Sequence, residues 1–204
     1  MRRGLIGAGA GILLVAAGTV AAVGFGGPLA VKIVSPDIVH KSDTGGVRLD
    51  VPPGEEAVRA AYQAVTAAAP DGARIDGVLV SPMRHDGTEL LVGVVRDPQW
   101  GPVLAVAIGG LFVEVLRDSA LAPLPVTPGQ AGRLLDRLRG RAVLDGVRGA
   151  APADRDALTA VIARIGDLAL ALGDALESLE VNPLLVDGAR IEALDAGLTW
   201  REHS

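Results

Sequence analysis

Residues able to do phosphate and metal chemistry fall in two stretches of this 204-residue chain. Near the carboxyl end, Leu179 to Val186 and Arg190 to Leu194 read as strands separated by Asp187-Gly188, a strong hairpin turn. Strand alternation puts Glu180 and Asn182 on one face, and a hairpin partner can bring Asp195 beside them. Carboxylate and amide oxygens suit a hard cation such as Mg2+, which keeps several waters and accepts phosphate oxygens from a nucleotide. The same residues also make an ordinary solvated hairpin face. In the other stretch, Lys32 interrupts the apolar run Leu29 to Val34. Such a lysine needs an anion at its head group or an edge position facing water. A polar loop from Ser35 to Gly46 follows and ends in Gly45-Gly46. Paired glycines let backbone N–H groups approach an anion closely, and they also make plain hairpin turns. His40 lies in this loop; as a bare residue it reads as a surface histidine.

Composition removes several classes of function. A formal charge of -5 and 2% aromatic residues leave neither a basic stripe nor a stacking platform for nucleic acid, which is not expected as a partner. The absence of cysteine excludes disulfides, thiolate zinc sites and a cysteine nucleophile. No Walker A ending of Gly-Lys-Ser/Thr occurs, and Ile12 stands where the dinucleotide fingerprint of Gly7, Gly9 and Gly11 needs its third glycine. A Gly-x-Ser-x-Gly elbow is missing and the three histidines are scattered, so serine hydrolases and histidine-rich metal sites have no support.

The elements that must position these residues follow from periodicity and punctuation. Strands are expected at Leu29 to Val34 and Val47 to Val51, then a helix from about Glu55 to Ala68 after Pro52-Pro53-Gly54. Ile75 to Met83 and Glu89 to Val95 flank His85-Asp86-Gly87-Thr88 and read as an antiparallel hairpin. Further strands are expected at Val103 to Ile108 and Leu111 to Leu116. Thr127 and Asp154 are N-cap residues for helices at Gln130 to Leu138 and Arg155 to Leu172. The apolar stretch from Gly4 to Val31 has the length of a signal anchor, but its many glycines make a poor helix interior. A loosely packed Ala-rich helix feeding a buried strand accounts for it equally well.

The run Val31-Lys32-Ile33-Val34-Ser35-Pro36-Asp37-Ile38-Val39-His40-Lys41-Ser42-Asp43-Thr44-Gly45-Gly46-Val47 resembles the phosphate-loop signature of the ATP-grasp subunit of ADP-forming acetate–CoA ligases. The similarity continues through Glu89-Leu90-Leu91-Val92-Gly93, Arg96-Asp97-Pro98-Gln99-Trp100-Gly101-Pro102-Val103, Gly109-Gly110-Leu111-Phe112-Val113-Glu114-Val115-Leu116, Glu180-Val181-Asn182-Pro183-Leu184 and Ala193-Leu194-Asp195-Ala196. It spans nearly everything from about Ala21 onward and reaches the more distant succinyl-CoA synthetase beta chains.

The resemblance implies an α+β (α/β) ATP-grasp fold with antiparallel-rich sheets flanked by helices. An apolar segment over 1–27 would precede the ATP-grasp domain over 28–204. Within that domain, a phosphate-loop subdomain would cover about 28–75, and a hinge and metal-binding subdomain 76–204. By the same resemblance, Lys32 contacts the nucleotide phosphates and Gly45 and Gly46 shape the loop over them. His40 is the phosphohistidine of a covalent relay, and Glu180 orients such a histidine or assists at the metal. Asn182 and Asp195 are the magnesium ligands, while Ser81 to Met83 lie at the adenine-side hinge with Glu89 nearby.

ATP/ADP and Mg2+ are the implied cofactors. The implied partner is a CoA-binding alpha-type subunit carrying the first phosphohistidine, through which acyl-CoA or acyl phosphate is met. A cytoplasmic location is expected, with a signal anchor as the alternative. A non-catalytic or truncated ATP-grasp module, regulatory in an acetyltransferase system, is the rival function. Two departures stand out. The family places an additional helix and strand ahead of the lysine strand, so the amino-terminal subdomain is expected to be clipped. Leu121-Ala122-Pro123 also occupies a region where the family often has an arginine.

Overall fold

The computed structural model describes residues 3–5, 13–15, 26–38, 41–109, 118–147 and 150–201. The chain forms two compact units, Gly9–His85 and Met1–Ala8 with Asp86–Ser204.

In the Gly9–His85 unit, strands β2 (Leu13–Val15), β3 (Leu29–Val34), β4 (Val47–Val51) and β5 (Gly77–Pro82) form an antiparallel sheet of order β2-β5-β3-β4. Helix α1 (Glu55–Ala67) buries Val58, Ala61 and Val65. Their three- and four-residue spacing makes one apolar stripe. That stripe packs with Val31, Ile33, Val78 and Val80 of the sheet, each buried valine or isoleucine worth about 1.5–3 kcal/mol. Alternation therefore turns Lys32 to the face away from α1.

In the larger unit, β1 (Arg3–Leu5), β6 (Thr88–Asp97), β7 (Gly101–Ile108), β8 (Ser119–Pro123), β9 (Leu176–Asp187), β10 (Arg190–Ala193) and β11 (Ala196–Trp200) form a seven-stranded sheet. Its order is β1-β11-β9-β6-β7-β8, with β10 also paired to β9. Helices α2 (Pro128–Arg137) and α3 (Arg155–Leu172) supply Ala131, Leu134, Leu135, Leu158 and Ile162 to a core shared with Leu90, Val92, Leu104, Val106, Leu179 and Leu184. Thr127 and Gln130 form a reciprocal capping box on α2, and the Asp154 carboxylate accepts the Ala157 N–H at 3.0 Å on α3. Both caps satisfy amides that a helix start leaves without partners.

The structure departs from the sequence reading at three places. The expected hairpin over 75–95 does not form: β5 pairs with β2 and β3, whereas β6 pairs with β7 and β9. Alternation marks strands but does not choose partners, and the chain passes from one unit to the other at His85 and Asp86. The described residues Arg3–Leu5 and Leu13–Val15 of the amino-terminal stretch are strand, not helix, and are held by ladder pairing with β11 and β5. Strands β8 and β11 are additional. The strand expected at Leu111 to Leu116 lies outside the described residues. Among the described residues, no helix is long and apolar enough to cross a membrane.

Candidate nucleotide and metal site

Strand register assembles the carboxyl-terminal residues. Leu179, Val181 and Leu184 of β9 are buried in the core beneath the helices, so Glu180 and Asn182 stand exposed on the opposite face. On one side of β9, Leu90 pairs with Leu184 and Val92 with Val181, leaving Asn182 and Pro183 together opposite Leu91 as a bulge. Bulges re-aim side chains and often sit beside active sites. On the other side, Ala196 pairs with Val181 and Gly197 with Glu180. The Asn182 N–H donates to the Asp195 carbonyl at 3.0 Å, which continues the register and sets Asp195 directly across from Asn182. The expectation that the hairpin partner brings Asp195 next to Glu180 and Asn182 matches this geometry: β10, Leu194, Asp195 and β11 keep one register along β9, with the Leu194 N–H donating to the Pro183 carbonyl at 3.0 Å.

Asn182 Nδ2 donates to Glu180 Oε1 at 3.0 Å. With its NH2 turned to the carboxylate, the amide presents its oxygen elsewhere. The Asp195 carboxylate accepts the Ala196 N–H through Oδ1 at 3.0 Å. Among the described residues no group of three or more His, Cys, Asp or Glu converges into a protein-only metal cage. A mixed set of one amide and one or two carboxylates fits a cation that draws its remaining ligands from water and phosphate, as Mg2+ does.

The same row carries features that the motif reading passed over. Glu180 is flanked across the sheet by Gly197 on β11 and Gly93 on β6, and Gly93 in turn pairs with Ala105. Neither glycine has a positive φ; a methyl on Gly197 would meet nothing within 4 Å, and one on Gly93 only ordinary contacts beginning at 3.4 Å. The Glu180 carboxylate thus stands between positions without side chains. A glycine inside a strand pattern was the available signal.

Glu89 is exposed at the start of β6, paired with Leu185, and its carbonyl accepts the Gly109 N–H at 2.6 Å. In the smaller unit, Lys32 pairs with Leu79 and Val47, and Ser81 pairs with Ala30, so Lys32 and Ser81 share the face away from α1. Lys32 lies on the interior strand β3, which removes the edge-strand explanation for it. The Met83 N–H continues the β3–β5 ladder by donating to the Pro28 carbonyl at 2.8 Å.

The described residues of the loop after β3 are tied down on both arms. Ile38 is buried in the core under α1. The Lys41 carbonyl accepts the Gly46 N–H at 2.7 Å and the Thr44 hydroxyl at 3.1 Å, and the Gly46 carbonyl accepts the Ile33 N–H at 2.8 Å. Gly45 has a φ of 74°, which favours glycine. Gly46 has a different reason to be glycine, because a methyl there would lie 2.6 Å from Ile33 Cγ2. His40 lies outside the described residues.

Comparison with known proteins agrees with this architecture. A family model described as an ATP-grasp domain matches residues 15–199. The beta subunit of ADP-forming acetate–CoA ligase I from Pyrococcus furiosus is 37% identical over 175 residues, covering 84% of this chain and 74% of that subunit. The ADP-forming acetate–CoA ligase I of Archaeoglobus fulgidus is 40% identical over 79% of this chain, but this chain spans only 24% of its length. Among solved structures, the dinucleotide-forming acetyl-coenzyme A synthetase 1 of Korarchaeum cryptofilum, in complex with coenzyme A and Ca-AMPCP, matches with a TM-score of 0.86. That match is 32% identical and covers 93% of this chain and 85% of that one. The chain belongs to the ATP-grasp family, with the beta subunits of ADP-forming acetate–CoA ligases as its relatives.

Proposed function

We propose that this chain is the nucleotide-binding subunit of an ADP-forming acyl-CoA synthetase of the acetate–CoA ligase type, relaying a phosphoryl group through His40. The observation that carries the reading is the register-built set of Glu180, Asn182 and Asp195 on the open face of the large sheet. Asn182 and Asp195 are the residues to hold Mg2+, and Glu180 holds the Asn182 amide in place. Magnesium, when bound, supplies neutralisation of phosphate charge. Lys32, on an interior strand, supplies positive charge from the protein side, while Gly45 and Gly46, whose N–H groups donate to the Ser42 and Lys41 carbonyls, shape the loop.

In the ATP-forming direction, a terminal oxygen of ADP attacks the phosphorus carried on the His40 ring. The P–N bond breaks as the new P–O bond forms, and the ring nitrogen is left with its electron pair. Loading from ATP is the reverse. Support for a histidine in this role comes from the Korarchaeum enzyme, seen with a phosphorylated phosphohistidine segment and, with Mg-AMPPCP bound, with that segment pointing towards its nucleotide binding site. The acyl and CoA chemistry belongs to an alpha-type partner bearing the first phosphohistidine, and both act in the cytoplasm. Ser81 to Met83 lie at the adenine-side hinge of the nucleotide site, with Glu89 nearby.

The test is phosphate incorporation from gamma-labelled ATP and Mg2+ into the purified chain. Acid-labile, base-stable label in the wild type that disappears in His40→Ala is the expected result. Label that persists in the variant would place the acceptor elsewhere, and no label in folded wild type would leave a binding module.

A further inference from the structure

Trp100 is the most exposed large apolar side chain among the described residues, at 68%, and the turn that carries it is tightly tied. The Asp97 carboxylate accepts the Gln99 and Trp100 N–H groups at 2.8 Å and 2.9 Å, and Gly101, with a φ of 73°, pairs with Asp97 as the last rung of the β6–β7 ladder. Arg96 fastens the same end of β6 from the other face: its guanidinium donates to the Gly173 carbonyl at 3.1 Å, just past α3, and pairs with Asp174 at 3.1 Å. A tryptophan held out by an ordered turn loses little freedom on burial and brings roughly 150–250 Å² of surface. Such side chains dominate protein interfaces.

The strands behind the turn continue the apolar surface. On the sheet face away from the helices, Val95 pairs with Val103 and Val103 with Pro123, while Leu121 lies opposite Ala105, two residues along β8 from Pro123. Val95 and Leu121 are 51% and 54% exposed, and Pro123 is exposed as well. From Leu91 to Val95, Val103 to Ala107 and Ser119 to Pro123, the positions on this face carry no charged side chain, although 21% of the chain is charged. Isolated exposed apolar residues are ordinary, whereas a contiguous uncharged patch with an aromatic residue at its end has the composition of an interface core.

The place of the patch points to what covers it. Along the outward face of β6, Glu89 marks the base end of the proposed nucleotide site, Gly93 stands beside Glu180, and Val95 follows beyond it. The patch therefore borders the phosphate end of the site, and a phosphate-supplying chain docked there shortens the path of the relay. Among the relatives the matching stretch occurs both as a separate beta subunit and as 24% of a longer ligase. We propose that Val95, Trp100, Leu121 and Pro123 form the docking surface for the CoA-binding alpha-type partner, with Trp100 as the anchor. The identity of that partner rests on the proposed synthetase function; the surface itself does not.

The experiment uses CoA immobilised on resin and an extract of source cells from which this chain's own gene has been deleted. Tagged wild type, Trp100→Asp, Leu121→Asp, Trp100→Phe and Leu168→Asp, each folded by circular dichroism, are mixed with the extract, and the tagged chain eluted by free CoA is measured. Wild type is expected to be retained from the extract and to pass through when applied alone. Trp100→Asp and Leu121→Asp are each expected to lower the retained amount about tenfold or more, and Trp100→Phe to recover most of it. Leu168→Asp, at an exposed position on α3, is expected to match wild type. Wild-type retention of both Trp100→Asp and Leu121→Asp would overturn the surface while leaving the partner standing. An equal loss in Leu168→Asp would also overturn it, since retention would then respond to any added surface charge. Wild type that is not retained from the extract, or that is retained without it, would overturn the alpha-type partner and the assignment with it. Sedimentation velocity of the purified chain tests the other occupant: a dimer that Trp100→Asp dissociates would give the patch to a second copy and overturn the proposal.

Discussion

In the Ser35–Gly46 loop a methyl on Gly46 would lie 2.6 Å from Ile33 Cγ2, whereas beside Glu180 on the open sheet face a methyl on Gly197 would meet nothing within 4 Å. The two regions that carry the chemistry therefore use the same residue in opposite ways. In the loop, glycine is imposed by the fold: Gly46 donates to Lys41, accepts from Ile33 and packs against it, leaving no volume for a side chain. On the sheet the fold does not ask for glycine at all. Backbone register positions Glu180, Asn182 and Asp195, and a methyl at either flanking glycine would meet no more than ordinary contact. A glycine motif thus reports a phosphate loop only after packing has been discounted, and a glycine without packing or torsional cause marks open space beside a functional group.

The largest expected effect tests the sheet side of this contrast. Replacing both Asn182 and Asp195 with alanine is expected to weaken Mg·ADP binding about a hundredfold, near 2.7 kcal/mol. Unchanged affinity by calorimetry would make the cluster an ordinary solvated face. On the loop side, Gly46→Val is expected to lower unfolding free energy by about 1–3 kcal/mol, the usual cost of overpacking. An unchanged urea midpoint would show that the loop does not rest on Ile33 as described.

A third variant probes a carboxylate whose work is structural rather than ligand-directed. Asp118 accepts the Arg139 and Gly140 N–H groups at 2.8 Å and 2.7 Å, behind the carboxyl end of α2. Burial disfavours its charged form, but the two N–H donors and the Arg139 guanidinium outweigh that and hold its pKa below the usual carboxylate value. A lowered folded pKa contributes stability above the unfolded pKa, and that contribution is lost as pH falls through the folded value. Asp118→Ala is expected to cost about 1–3 kcal/mol at neutral pH, with the difference from wild type shrinking on acidification. A cost independent of pH would assign the loss to packing. The smallest effect sharpens the comparison from the other side: Gly197→Ala is expected to leave stability unchanged or raise it by up to about 1 kcal/mol, because glycine is the weaker strand residue. A clear loss would mean that the position is glycine for the fold's sake.

Much of this arrangement was legible in the residues. Asp154 and Thr127 announced their helices through cap chemistry, and α3 spans the expected Arg155–Leu172. Alternation correctly put Glu180 and Asn182 on one face, because a period of two needs no knowledge of partners. Partner choice was what could not be read. β5 and β6 are adjacent in sequence and strand-like, yet they belong to different sheets, since the apolar residues of each find their cores with distant strands. The hairpin that carries Asp195 was the exception, because Asp187-Gly188 sets its register locally: β10 and β11 follow one register along β9, and the Leu194 N–H on the Pro183 carbonyl carries it to Asp195. β8, with its proline, alanines and exposed Leu121, offers no alternating pattern to read. The hydrogen bond from the Arg74 N–H to the Asp37 carboxylate joins two loop residues whose proximity depends on β3 and β5 being neighbours, and no local motif encodes that.

The central claim, a phosphoryl relay through His40, is tested most directly by labelling the purified chain with gamma-labelled ATP and Mg2+ in wild type and His40→Ala side by side. The account predicts acid-labile, base-stable label on the wild type and none on the variant, with both proteins folded by circular dichroism. Equal labelling of the two, or none on a folded wild type that binds Mg·ADP, would contradict it.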